Sequence, residues 1–187
     1  MTNARQLQRP ATYQDVLDAP QHLVAEILNG ELVLSPRPAY LHSRATTRLS
    51  RRLGPFDEPD EGEPSWVILV EPEIHLGGTV VVPDLAGWRR ERMPEVIDAH
   101  FTELVPDWLC EVASPSTRRA DRMIKMPLYR EHGAEWVWLV DPRDELIEVF
   151  KSDGPSWRLE AQAVGAGAVR LPPFEAIEID PADLFAR

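Results

Sequence analysis

Glu111 stands inside the run Trp108-Leu109-Cys110-Glu111-Val112, which is otherwise apolar and of strand length. A buried strand tolerates a carboxylate only where something positive or a hydrogen-bond donor meets it, because an unpaired charge in apolar surroundings is very costly. A second apolar run, Val80-Val81-Val82-Pro83-Asp84, also closes on an acid. Two such carboxylates on neighbouring strands make an oxygen site of the kind a hard cation selects. The chain is therefore expected to build a sheet that brings Asp84 and Glu111 together.

Local patterns supply the elements. Thr12-Tyr13-Gln14-Asp15 reads as a capping box with Asp in place of Glu, opening a short helix that stops before Pro20. Val24–Leu28 and Glu31–Leu34 flank Asn29-Gly30, the pair best suited to a two-residue type I′ hairpin turn, and so predict an N-terminal β-hairpin. Leu41, Ala45, Leu49 and Leu53 recur every four residues and predict an amphipathic helix over 39–53, with a loop from Gly54 to Ser65. Val67–Leu76 and Val80–Trp88 read as strands joined at Gly77-Gly78. A connection over 89–106, with a short helix near 94–99, leads to the Glu111 strand. Ser114-Pro115-Ser116-Thr117 offers a cap for a helix ending near His132-Gly133. Trp136–Val140 and Leu146–Lys151 read as paired strands, Trp157–Ala161 and Val169–Leu171 as further sheet, and Pro181–Phe185 as a terminal turn. Strands bracketing one central helix imply an α/β fold with a mixed sheet.

Composition narrows the class. At 187 residues the chain fits one domain, 1–187, with a core of its own. A single cysteine, Cys110, suits a reducing cytoplasm and rules out an internal disulfide. No run reaches transmembrane length and no apolar export signal opens the chain, so no membrane partner is expected. Net charge is −11, which opposes wholesale attraction to nucleic acid and requires local basic patches for such a role. The six tryptophans read as core rather than base-stacking platforms.

Register extends the acidic set. If Gly77-Gly78 is a two-residue turn, Leu76 pairs with Thr79, Glu71 falls opposite Asp84, and Glu73 pairs with Val82 on the same face. Glu26 pairs across its own turn with Val33 and is either a third acid of the site or an exposed strand residue. In the later helix Asp121, Lys125 and Tyr129 form a stripe beside the apolar Ala120, Ile124 and Leu128. Lys125 either snorkels toward the acids or bridges Asp121 at i,i+4. Arg118, Arg119 and Arg122 crowd the first turns, where the helix dipole prefers anions, so a phosphate would suit them. Arg44, Arg48, Arg51 and Arg52 share one helical face, either solvated or tracking phosphates. His42 lies near the core stripe of the same helix, as a packing residue, a positioning group or a base.

Pro83-Asp84, Glu111-Val112-Ala113 and Lys125 resemble the PD-(D/E)XK nuclease superfamily, in the variant whose lysine has moved from the position Ala113 holds to the following helix. Taken with Glu26 to Leu32, His42, Ser114-Pro115-Ser116-Thr117 and Trp138 to Pro142, they resemble the Uma-type restriction endonucleases, a bacterial family, over about residues 12 to 150. The resemblance implies a restriction-endonuclease-like fold. It also implies Mg²⁺ or Mn²⁺ held by Asp84, Glu111 and a carbonyl near Val112, with Lys125, Glu26 and His42 as further catalytic candidates. DNA is the implied substrate and a homodimer the implied assembly. Two other readings stay open: a catalytically silent binding or assembly module of the same fold, and a metal-dependent hydrolase of a small phosphate ester.

Overall fold

In a computed structural model the protein is described over residues 3–5, 9–58, 62, 65–95 and 98–186. The elements run β1 (Asn3–Arg5), α1 (Tyr13–Leu17), β2 (Leu23–Leu28), β3 (Glu31–Pro36), α2 (Tyr40–Asp57) and β4 (Trp66–Val70). They continue with β5 (Ile74–Leu76), β6 (Thr79–Val81), β7 (Leu85–Arg89) and β8 (Trp108–Val112). Then α3 (Arg118–Ala120), a π-helical segment (Asp121–Lys125) and α4 (Met126–Glu131) follow end to end. Last come β9 (Trp136–Asp141), β10 (Leu146–Asp153), β11 (Ser156–Val164) and α5 (Pro181–Phe185).

Two sheets form among the described residues. A six-stranded mixed sheet has the order β11-β10-β9-β8-β7-β4, and a five-stranded antiparallel sheet the order β1-β3-β2-β6-β5. The β8–β9 pair is parallel, and the helical stretch 118–131 is the crossover between them. The N-terminal hairpin forms as predicted: Asn29 and Gly30 both take positive φ (53° and 78°), as a type I′ turn requires, and Glu26 pairs with Val33.

The ribbon expected from Val67 to Trp88 departs from prediction in an instructive way. Its register holds from Leu76↔Thr79 at the turn to Trp66↔Arg89 at the far end. It breaks in the middle, however, at 71–73 and 82–84, and each half joins a different sheet. Pro83 has no N–H for a ladder. The Val82 N–H turns to Glu26 Oε1 (2.9 Å), and Glu71 adopts φ 49°. Asp84 therefore sits at the seam between the sheets.

Other boundaries shift for identifiable reasons. α2 runs on through Gly54-Pro55 to Asp57, held there by Phe56 packing on Phe174 and by the Glu58 N–H on the Gly54 carbonyl (2.7 Å). Val169 forms only an isolated bridge with Ile179 rather than a strand, and Pro181–Phe185 is a short helix capped by Asp180. No helix occurs at the described residues of 94–99; residues 96 and 97 lie outside them.

Alternation along β8 and β9 sorts the core. Trp108, Cys110 and Val112 pack with Trp136 and Trp138 against Leu49 and Leu53 of α2 and against Phe174. Leu109, Val137 and Leu139 face the other way, toward Val33, Ile74 and Val81 of the second sheet and Leu128 and Tyr129 of α4. Glu111 shares the parity of Leu109, so its side chain enters the layer between the six-stranded sheet, the second sheet and the crossover helix. Five of the six tryptophans are buried and Trp157 is half-buried.

Gly87 marks how tightly one face is packed. A Cβ there would meet Trp108 Cε3 at 3.1 Å and Trp66 Cε3 at 3.3 Å. Both rings are buried, so any retreat disturbs the core around them. Gly87→Ala is expected to lower stability by about 1–3 kcal/mol, read as a lower urea midpoint; an unchanged midpoint would show that the indoles yield.

Candidate functional site

The second sheet, the seam and the crossover helix converge on a cavity of about 170 Å³, lined by Glu26, His42, Glu71, Asp84, Glu111, Ser114, Asp121 and Lys125 among others. Glu111 is 3% exposed and Lys125 5%. Lys125 Nζ lies 2.8 Å from Glu26 Oε1, 3.3 and 3.4 Å from the two Glu111 oxygens, and 3.8 Å from Asp121 Oδ1. The i,i+4 partner is thus the most distant of the three. Tyr129 donates its hydroxyl hydrogen to Glu111 Oε1. Asp84 Oδ2 accepts from the Val112 N–H (2.7 Å), while Oδ1 lies 3.1 Å from His42 Nε2.

Local sequence explains how Lys125 reaches inward. Pro127, early in α4, cannot donate to the carbonyl of Met123 and its ring crowds that carbonyl. The preceding turn widens into the π segment Asp121–Lys125, an arrangement frequent at functional sites. Asp121, Lys125 and Tyr129 are consequently buried, while Ala120 and Ile124, expected to form the core stripe, are only half-buried.

Electrostatics follow from the count of charges. Burial opposes the charge of Lys125, but Glu111, Glu26, Tyr129 and Asp121 outweigh it and hold the ammonium protonated, its pKa well above the usual range. Burial pushes the Glu111 carboxyl well above its usual range; Lys125 opposes this, and Asp121, Asp84 and Glu26 add to it. Burial likewise raises Asp121. At His42 burial disfavours the cation, and the bond to Asp84 with the charges of Asp84, Asp121 and Glu71 prevails, raising its pKa. One ammonium is shared by three carboxylates, with Asp84 beside them, and among the described residues Asp121 Oδ1 is buried without a hydrogen-bond partner.

This all-oxygen donor set, short of positive charge, fits a hard divalent cation bound through one or two carboxylates. No group of three or more His, Cys, Asp or Glu among the described residues converges as a ready-made metal cage. The fit therefore rests on Asp84 and Glu111 as a pair.

The remaining sequence candidates separate. Glu71 stays at the cavity, its N–H donating to the Asp84 carbonyl (3.1 Å), but Glu73 leaves the expected cluster to pair with His75 Nε2 (2.8 Å). Arg118 binds Asp141 and Asp144 at 3.1 Å each and Arg122 binds Glu148, so acids of the chain itself offset both; Arg119 is exposed. Val112 touches the site through its N–H. The sequence pattern places Tyr129 and Asp121 only in the helical stripe of Lys125 and gives neither a role in the site. Their shared stripe with Lys125 was the available signal.

Among the described residues no helix is long and apolar enough to cross a membrane. No curated protein matches the chain. Among solved structures, a putative nuclease belonging to DUF820 from Anabaena variabilis superposes with a TM-score of 0.74 at 22% identity, covering 95% of this chain and 98% of that one. Such a likeness carries the fold, mixed α/β and restriction-endonuclease-like. A family profile matches residues 10–182, and with nearly the whole chain inside that match, the protein belongs to the Uma2 family, described as "Putative restriction endonuclease".

Proposed function

We propose that the protein is a metal-dependent endonuclease that hydrolyses phosphodiester bonds in DNA. The observation that carries this is the cavity in which Asp84 and Glu111 stand with one ammonium, Lys125, and a surplus of carboxylates. Asp84 and Glu111, with the main chain at Val112, would hold Mg²⁺ or Mn²⁺, which when bound supplies Lewis-acid polarisation of a phosphoryl oxygen and makes water more acidic. Lys125, kept protonated by its acidic neighbours, stabilises negative charge that develops on the phosphate. His42 and the Val112 N–H fix the Asp84 carboxylate from its two oxygens, as partners of a ligand commonly do. Glu26 braces Lys125 and the Val82 N–H at once and so ties the second sheet to the site. Ala113 carries no charge, so the ionic work of a lysine falls to Lys125.

Supercoiled plasmid incubated with purified protein and either metal is expected to be nicked, and Asp84→Ala to abolish nicking. Calorimetric titration with Mn²⁺ should show binding that the same substitution removes. Identical residual nicking by wild type and Asp84→Ala would defeat the reading.

A further inference from the structure

α2 carries a line of positive charge that the chemistry above does not use. Arg44, Arg48 and Arg51 share one face, and among the described residues none of them pairs with a carboxylate. Arg44 Nε donates to the Ala186 carbonyl (3.1 Å), and Arg48 donates to the carbonyls of Asp183 (2.6 Å) and Ala186 (2.8 Å). Arg51 forms no hydrogen bond or ion pair among the described residues, and Arg52 is the one that pairs with Asp183 Oδ2 (2.7 Å). Arg44 and Arg51 are exposed and Arg48 is half-buried, three guanidinium charges without a carboxylate partner among the described residues, in a chain of net charge −11.

The surface there is concave and continuous with the site. Pro38, His42 and Glu71, at the wall of the acidic cavity, also line a second concavity with Ser43, Thr47 and Arg51. Those last three continue into a third with Tyr40, Arg44 and Arg48. Tyr40 is 97% exposed, and among the described residues its ring packs on no other. The groove follows α2 from Tyr40 to Arg51, about 16 Å at 1.5 Å per residue.

We propose that this groove seats single-stranded DNA leading into the site. Tyr40 stacks a base, Arg51 with the Ser43 hydroxyl holds phosphates, and Arg44 and Arg48 supply the attracting field. An exposed aromatic ring beside a basic groove is how unpaired strands are held without sequence preference. A duplex, its bases already stacked, offers Tyr40 no face, and the groove runs into the cavity that Glu111 and Lys125 line. The proposal rests on the nuclease reading and names its substrate form.

The test is fluorescence anisotropy with labelled single-stranded DNA, using the full chain in metal-free buffer so that nothing is cut. Tyr40→Ala is expected to weaken binding by about tenfold. Arg51→Ala should also weaken it and reduce the slope of log affinity against log salt by about 0.7, the share that each neutralised phosphate of a single strand contributes. Arg158→Ala, on β11, should change nothing. Both residues are exposed, so the fold survives their replacement. Unchanged affinity in both variants overturns the proposal, as does tighter binding of duplex or of RNA of the same sequence. Absence of single-strand binding by wild type also overturns it; metal-dependent plasmid nicking by that same preparation would leave the nuclease reading standing.

Discussion

Replacing Lys125 by methionine is expected to cost about 3–5 kcal/mol of stability in metal-free buffer, because it strips the cation from buried acids rather than removing a pair intact. The methionine fills much of the same space, so the loss is electrostatic and not a cavity. Among the described residues Glu26, whose Oε1 lies 2.8 Å from Nζ, is left with the Val82 N–H and Glu111 with the Tyr129 hydroxyl. The double variant Lys125→Met, Glu26→Gln should recover part of the loss, since it removes one of the stranded charges. Chemical denaturation checks this, and a single variant with the wild-type midpoint would show that the ammonium does not hold these acids. Plasmid nicking should fall by about 10²–10³-fold, the usual effect of deleting one preorganised donor to a developing anion.

That much of this site could be anticipated traces to the charge on Glu111, which made no sense in a buried strand unless a partner came to it. The hairpin at Asn29-Gly30 was legible because both turn residues must accept positive φ. That Leu76 pairs with Thr79 and Glu71 falls opposite Asp84 followed from the turn at Gly77-Gly78 and period-two counting, whereas the expected Glu73–Val82 pair does not form. What stayed hidden depends on contacts remote in sequence. Splitting the Val67–Trp88 ribbon needs Glu26, 56 residues before Val82, to capture an N–H that the ladder gives up beside Pro83. The π segment turns on Pro127, which within a helical pattern reads simply as a break. The basic face of α2 could not be assigned because the carbonyls receiving Arg44 and Arg48 come from residues more than 130 positions later. Phe56 likewise completes α2 only because Phe174 is there to meet it.

Phe174→Ala should produce the other large effect, a loss of about 3–5 kcal/mol, as truncation of a fully buried phenylalanine does. Its ring lies 4.9 Å from those of Phe56 and Trp66, 5.0 Å from Trp108 and 5.7 Å from Trp138, tilted or edge-on to each. Phe174 is the central ring of a segment that also places Leu171 and Ile179 in this core, so its loss leaves a cavity as well as lost burial. Between β11 and α5 the described backbone bonds with itself at Val169↔Ile179 and in two tight turns, Phe174 N–H to the Leu171 carbonyl (2.9 Å) and Ile177 N–H to the Phe174 carbonyl (3.3 Å), and the Trp138 indole of β9 donates to the Pro172 carbonyl (2.7 Å). Without Phe174 this segment should lift, and α5 with it, withdrawing the carbonyls that Arg44 and Arg48 bind. Limited proteolysis should then cut within 165–186 before the rest of the chain, whereas Phe174→Leu, which keeps most of the apolar volume, should resist. A variant that unfolds within about 1 kcal/mol of wild type, below the range for a filled aromatic site, would mean that the four neighbouring rings close over the gap. The C-terminal segment would then be held by the arginines of α2 rather than by the aromatic core.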